Sequence, residues 1–231
     1  MNLSMLQTQA VPLTEPESVE KTLSIIELIK SGGTAGQLII ALLFVLLVVA
    51  LYIYFERLFT IKSASKVDPN FMNEIKDHVS NGKIEAAKLF CAQENSPVSR
   101  LIQKGISRIG RPLADINSAI ENAGKLEVYN LEKNVSILAT ISGAAPMIGF
   151  LGTVIGMILS IFEIANSGGQ IDIKLLADGL YTAMTTTVAG LIVGIVAYIA
   201  FNHLVSRTNK VVYKMEANSV EFLDLLNEPA H

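Results

Sequence analysis

Three stretches of this chain carry no Asp, Glu, Lys or Arg: Ser31–Phe55, Asn134–Phe162 and Gly179–Ser206, of 25, 29 and 28 residues. A helix needs about 20 predominantly apolar residues to cross the hydrocarbon core of a bilayer. Within lipid each backbone N–H and C=O must find its partner inside the segment, so apolar windows of this length read as helices. The sequence therefore predicts an all-α membrane protein, with transmembrane helices at residues 36–56, 134–163 and 176–203. Composition agrees: 51% of the 231 residues are hydrophobic and 17% charged, against roughly 25% charged in soluble domains. Residues 1–30 hold four Glu, and the first apolar run is too long for the core of a signal peptide, so that span is expected to remain as an anchor.

Lys and Arg are spread unevenly. Residues 1–30 hold two, 56–133 twelve, the loop NSGGQIDIK only Lys174, and the end of the chain Arg207, Lys210 and Lys214. Cytoplasmic flanks are enriched in these residues. The expected order is a periplasmic segment (1–35), span one, a cytoplasmic helical segment (57–133), span two, a short periplasmic loop (164–175), span three and a cytoplasmic helical tail (204–231). Within 57–133, helix breaks are expected at Asn81-Gly82, at Pro97 and at Gly110-Pro112. The helix starting near Leu113–Asp115 then meets no proline before Pro146, and is expected to enter span two unbroken.

Span three has no stop at its inner end either. Thr187, Gly190, Gly194, Ala197, Phe201, Leu204, Thr208, Val211, Met215, Asn218, Phe222 and Leu225 alternate by three and four. That heptad seam predicts one helix of roughly 80 Å from Lys174 to Leu226. Two uses of the seam are open on spacing alone: packing on the chain's own long helix, or a parallel bundle of several subunits.

Span two contains PMIGFLGTVIGM, Pro146–Met157. Glycine costs about 1 kcal/mol in a helix and proline about 3, so these residues need a reason. Gly152, Gly156 and Ser160 form a small-xxx-small series, which lets helices approach closely in lipid. Gly149, Gly190 and Gly194 fit the same packing role, and neighbouring helices can satisfy the carbonyl that Pro146 frees. Thr153 shares a face with Gly149, Gly156 and Ser160, while span three clusters Thr182, Thr185, Thr186 and Thr187. The bland account of such hydroxyls is a bond to their own helix backbone. The sharper one is a weakly polar lumen lined by Thr153, Thr187, Thr182, Thr186 and Ser160.

No carboxylate or cationic side chain lies deep in the spans, and intramembrane carboxylates are the usual proton relays. A relay through this chain must then borrow its titrating group from another. The net charge of −3 gives no field for nucleic acid. Cys91 is the one cysteine, and His78, His203 and His231 have no ligand spacing. No metal, cofactor or catalytic residue is expected, and GFLGTVIG lacks the Lys of a phosphate loop.

APMIGFLGTVIGMILSIF (145–162) and GLYTAMTTTVAGLIVGIVAYIAFN (179–202) resemble the two motif segments of the MotA/TolQ/ExbB proton-channel family, nearest to its ExbB-type members. The resemblance implies a ring, of five subunits, around single-span ExbD-like partners whose membrane Asp takes up protons, with a TonB-like protein carrying the work outward. It maps the family's two pore threonines onto Thr153 and Thr187, and places Thr182 where many ExbB and TolQ chains have Glu. The expected function is an ExbB-like subunit of a bacterial inner-membrane motor that energises outer-membrane transport. The rivals are a TolQ-like or other envelope or gliding stator and, in another class, a passive membrane scaffold; an enzyme is not expected.

Overall fold

Helix length here follows the spacing of the breakers, with two exceptions, at Asn134 and at Pro146. The computed structural model describes residues 33–166 and 173–227. Among them are seven helices: α1 (Gly33–Ala64), α2 (Phe71–Ser80), α3 (Ile84–Glu94), α4 (Pro97–Ile106), α5 (Leu113–Glu132), α6 (Val135–Asn166) and α7 (Ile173–Asn227). Helices α1, α6 and the first half of α7 are long and apolar enough to span a membrane. Residues 1–32, 167–172 of the expected 164–175 loop and 228–231 lie outside the described residues.

The short helices end where backbone chemistry says they should. Gly82 at φ +69° and Asn95 at φ +47° close α2 and α3, in the left-handed region that Gly and Asn tolerate. Pro97 starts α4 as well as stopping α3. It occupies the first turn, where its missing N–H costs nothing. Ser96 accepts from the Ser99 amide at 3.0 Å, and Ser99 Oγ accepts from the Ser96 amide at 2.9 Å. This reciprocal cap satisfies two N-terminal donors.

The expectation of one unbroken helix from residue 113 into span two is corrected. The chain breaks between α5 and α6 at Asn134, which takes φ +64°. Leu131 and Val135, on either side, are both buried, so the break lets α5 lie on α4 while α6 runs along α7. Pro146, in contrast, sits inside α6 and does not end it.

Helix α7 is 55 residues long, about 80 Å, and it organises everything else. Its heptad seam faces inward: Gly190, Gly194, Ala197, Leu204, Thr208, Val211, Met215 and Phe222 are buried. The seam is thus used within the chain, first against α6 and then against α4 and α5. Where the membrane segment ends, polar ties fasten the helices. Tyr54 Oη and His203 Nδ1 lie 2.9 Å apart, and Lys214 donates to the Ser65 carbonyl at 3.1 Å. Arg57, only 7% exposed, pairs with Glu56 and donates to the Asn130 carbonyl at 3.2 Å. Among the short helices, Arg100 grips Glu127 through Nε and Nη2, at 2.7 and 2.6 Å. Its Nη1 donates to Asn95. Together these tie the start of α4 to α5. Cys91 is buried, and burial pushes its thiol up to about 12, so it packs as a small hydrophobe.

One buried group breaks the pattern. Thr208 Oγ1 has no hydrogen-bond partner and sits on the seam at 2% exposure. Replacing an unsatisfied hydroxyl with a methyl of the same shape removes a desolvation cost of about 1–3 kcal/mol. Thr208→Val should therefore raise the thermal midpoint of the purified protein in detergent. A lower midpoint would show that the hydroxyl is bonded in the folded protein.

Candidate functional site

The site grows from the antiparallel contact of α6 and α7. Small residues recur at three- and four-residue steps on both helices, and the structure pairs them in order. Gly194 lies under the Pro146 ring, where an added Cβ would stand 2.6 Å from Pro146 Cγ and 3.1 Å from the Ser142 carbonyl oxygen. That is the carbonyl whose intrahelical donor Pro146 removes. At Gly190 a Cβ would meet the Ala145 carbonyl oxygen at 2.6 Å and Gly149 Cα at 2.9 Å. One step on, a Cβ at Gly152 would collide with the Thr186 side chain. Gly156 faces Ala183, and a Cβ at Gly179 would collide with Ser160 Oγ. Backbones this close exclude any larger residue along most of the seam. The glycines are therefore required by the contact of α6 with α7 of the same chain.

The hydroxyl residues divide into three groups by position. Thr186 and Ser160 are closed inside the contact, at 0% and 4% exposure. Thr186 Oγ1 reaches the carbonyl oxygens of Ala183 at 2.8 Å and Gly149 at 3.2 Å, and Ser160 Oγ donates to the Gly156 carbonyl at 2.9 Å. Thr182 lies on the flank covered by α1: a Cβ at Gly36 would stand 2.8 Å from its Cγ2. Ile148, Ile155 and Ala189, on that same flank, pack into the core.

Thr153 and Thr187 lie on the opposite flank, each about 100° of helix rotation from Gly152 and Thr186 respectively. In an antiparallel pair this rotation carries both toward the same side, away from α1. Both are partly buried. Thr187 Oγ1 donates across the contact to the Gly149 carbonyl at 3.1 Å, and Thr153 Oγ1 donates to the Phe150 carbonyl of its own helix. The neighbouring outward positions are large and apolar: Met147, Phe150, Met157, Met184, Val188 and Leu191 are all exposed. What this face offers is a low-dielectric wall with two hydroxyl oxygens and no charge. It can orient a polar group but cannot store a proton at physiological pH.

Sequence reasoning passed over His203. It is the one histidine in the three charge-free windows, and the structure places it between α1 and α7, with Tyr54 on one ring nitrogen and Arg207 Nε 3.3 Å from the other. Its position inside an otherwise uncharged window was the available signal.

Comparison with known proteins assigns the sequence to a family. The sequence model of the MotA/TolQ/ExbB proton channel family matches residues 93–217, more than half of the chain. A putative biopolymer transport protein ExbB homolog of Methanothermobacter thermautotrophicus is 27% identical over 194 residues, covering 84% of this chain and 67% of its own. The Tol-Pal system protein TolQ of Haemophilus influenzae is 27% identical over 229 residues, covering 90% and 96%. The biopolymer transport protein ExbB of Aquifex aeolicus is 38% identical over 87 residues, covering 38% and 58%.

Proposed function

The chain belongs to the MotA/TolQ/ExbB proton channel family, and from that premise we propose that it is an ExbB-like channel and stator subunit of a proton-driven motor in the bacterial inner membrane. Its work is the energising of outer-membrane active transport, with an ExbD-like single-span partner and a TonB-like protein. Five copies form the ring, with the N-terminus periplasmic and the C-terminus cytoplasmic. The basic 56–133 segment supports that orientation, and the apolar outer faces of α1, α6 and α7 suit lipid and neighbouring copies.

One observation carries the reading. In a chain of a proton-channel family, the membrane face bears two hydroxyls at the edge of the α6–α7 contact, and no Asp, Glu, Lys or Arg lies deep in the spans, Glu56, Glu163 and Asp178 falling at their ends. Proton transfer needs a group that titrates, so that group arrives on another chain. Thr153→Val with Thr187→Val should leave the complex assembled, as seen by native mass spectrometry. Ion-driven uptake should fall about tenfold, equivalent to ~1.4 kcal/mol at the transfer step. An assembled double variant with full uptake would favour the passive scaffold instead.

A TolQ-like role is the second reading. It is favoured by the end-to-end match to the Haemophilus TolQ, whereas the 38% identity to the Aquifex ExbB covers only a part of this chain. Deleting the chain from its cell separates the two roles. Loss of energised outer-membrane uptake with an intact envelope supports the ExbB-like role, and the reverse pattern supports the TolQ-like one.

A further inference from the structure

A hydroxyl has one proton to give and two lone pairs with which to accept. Both outward-flank hydroxyls have already committed the proton. Thr187 spends it on the Gly149 carbonyl, 3.1 Å away across the closest approach of α6 and α7, and Thr153 on the Phe150 carbonyl within its own helix. No water competes for these carbonyls in the hydrocarbon region, so turning either hydroxyl outward gives up a bond that nothing there replaces. For Thr187 it also gives up a tie between two spans.

We infer that Thr153 and Thr187 act toward the lumen as acceptors only, so this wall recognises a hydrogen-bond donor such as a neutral carboxylic acid and rejects a carboxylate. The inference rests on the reading above, in which a partner's carboxyl group enters beside these residues, and it adds which protonation state is held there. A –COOH can donate its O–H to Thr187 Oγ1 or Thr153 Oγ1. A –COO⁻ would set its own lone pairs against theirs in a medium that screens poorly. Hydrogen bonding to the neutral form raises the acid's pKa. The carboxylate therefore takes its proton from water on the entry side, keeps it while beside the threonines, and returns it to water on leaving them. The threonines are specificity residues for the loaded state, and the proton never passes to the protein backbone. Thr186 and Ser160 have committed their protons in the same way, but they lie inside the helix contact, out of reach of a second chain.

The test is proton flux through the full complex in proteoliposomes, measured against the pH of the entry side. Removing an acceptor lowers the acid's pKa, so flux limited by loading needs a more acidic entry side. Thr187→Val and Thr153→Val should each move the half-maximal pH down, by about half to one unit for a bond of ordinary strength. Thr187→Ser and Thr153→Ser, which keep the carbonyl bond and the lone pairs, should leave it in place. An upward shift would mean that the hydroxyls donate to the carboxylate, and would overturn the inference, as would unmoved midpoints in the valine variants. Thr153 bonds only its own helix, so its pair of variants decides the matter should Thr187→Val fail to assemble. Flux that survives conversion of the partner's carboxyl to a carboxamide would remove the premise itself, a result distinct from any midpoint shift.

Discussion

Gly149→Ala should destabilise this protein although it adds a single methyl group and improves helix propensity. A Cβ at residue 149 would stand 2.7 Å from the Thr186 carbonyl oxygen and 3.1 Å from the Cα atoms of both Thr187 and Gly190. All three are backbone atoms of α7, so no side chain can rotate away. Overpacking of this kind costs about 1–3 kcal/mol, and separating the helices also stretches the Thr187 bond to the Gly149 carbonyl. The thermal midpoint of Gly149→Ala should fall clearly, and Gly149→Leu should fail to accumulate as folded protein. Gly143 lies on the same helix, but a Cβ there meets nothing within 4 Å. Gly143→Ala should be neutral or gain up to about 1 kcal/mol from propensity alone. Equal midpoints for the two alanine variants would refute the backbone-contact account of the seam.

The second large effect is expected far from the membrane. Phe222 sits five residues before the end of α7, where fraying is usual, yet it is fully buried. A Cβ at Gly105 would meet Phe222 Cε1 at 2.6 Å and Ile120 Cδ1 at 2.8 Å, so the ring is clamped between α4 and α5. Deleting a buried phenyl ring costs about 3–5 kcal/mol. Phe222→Ala should free the last turns of α7 and open them to limited proteolysis near residues 220–227. Val220→Ala, at 58% exposure, should change stability by no more than about 0.5 kcal/mol. Because α7 is one helix from span to tail, undocking its end would also loosen the lever that joins the short helices to the membrane segment. A Phe222→Ala protein that resists protease like the parent would show that the tail is held elsewhere.

Much of this architecture was legible beforehand because it rests on local or periodic signals. Asn81-Gly82 and Pro112 mark helix ends through backbone preferences that need no partner. Span length follows from apolar runs. The alternation from Thr187 to Leu225 showed that α7 has one buried stripe, although spacing alone left open whether that stripe met its own chain or other subunits. The break at Asn134 was missed. A non-glycine residue at φ +64° is imposed by burial of Leu131 and Val135 on two differently directed helices, and no proline or glycine announces it. Pro146 misleads in the other direction, because it sits within α6 at the cost of one backbone bond.

What the residues alone determined is the kind of molecule: three lipid-length windows without charge, small residues stepped every three or four positions along two of them, and hydroxyls placed among those steps. What only the tertiary structure decided is which way each hydroxyl turns. Thr186 and Thr187 are adjacent, identical in chemistry and similar in surroundings along the chain. One is sealed between α6 and α7 and the other sits at the edge of the contact, while Thr182 lies under α1. The physical reason is that a helix displays its side chains all round its axis. The faces that are closed off are chosen by which helices pack against it and on which side, and for α7 that choice is made by α6 and α1.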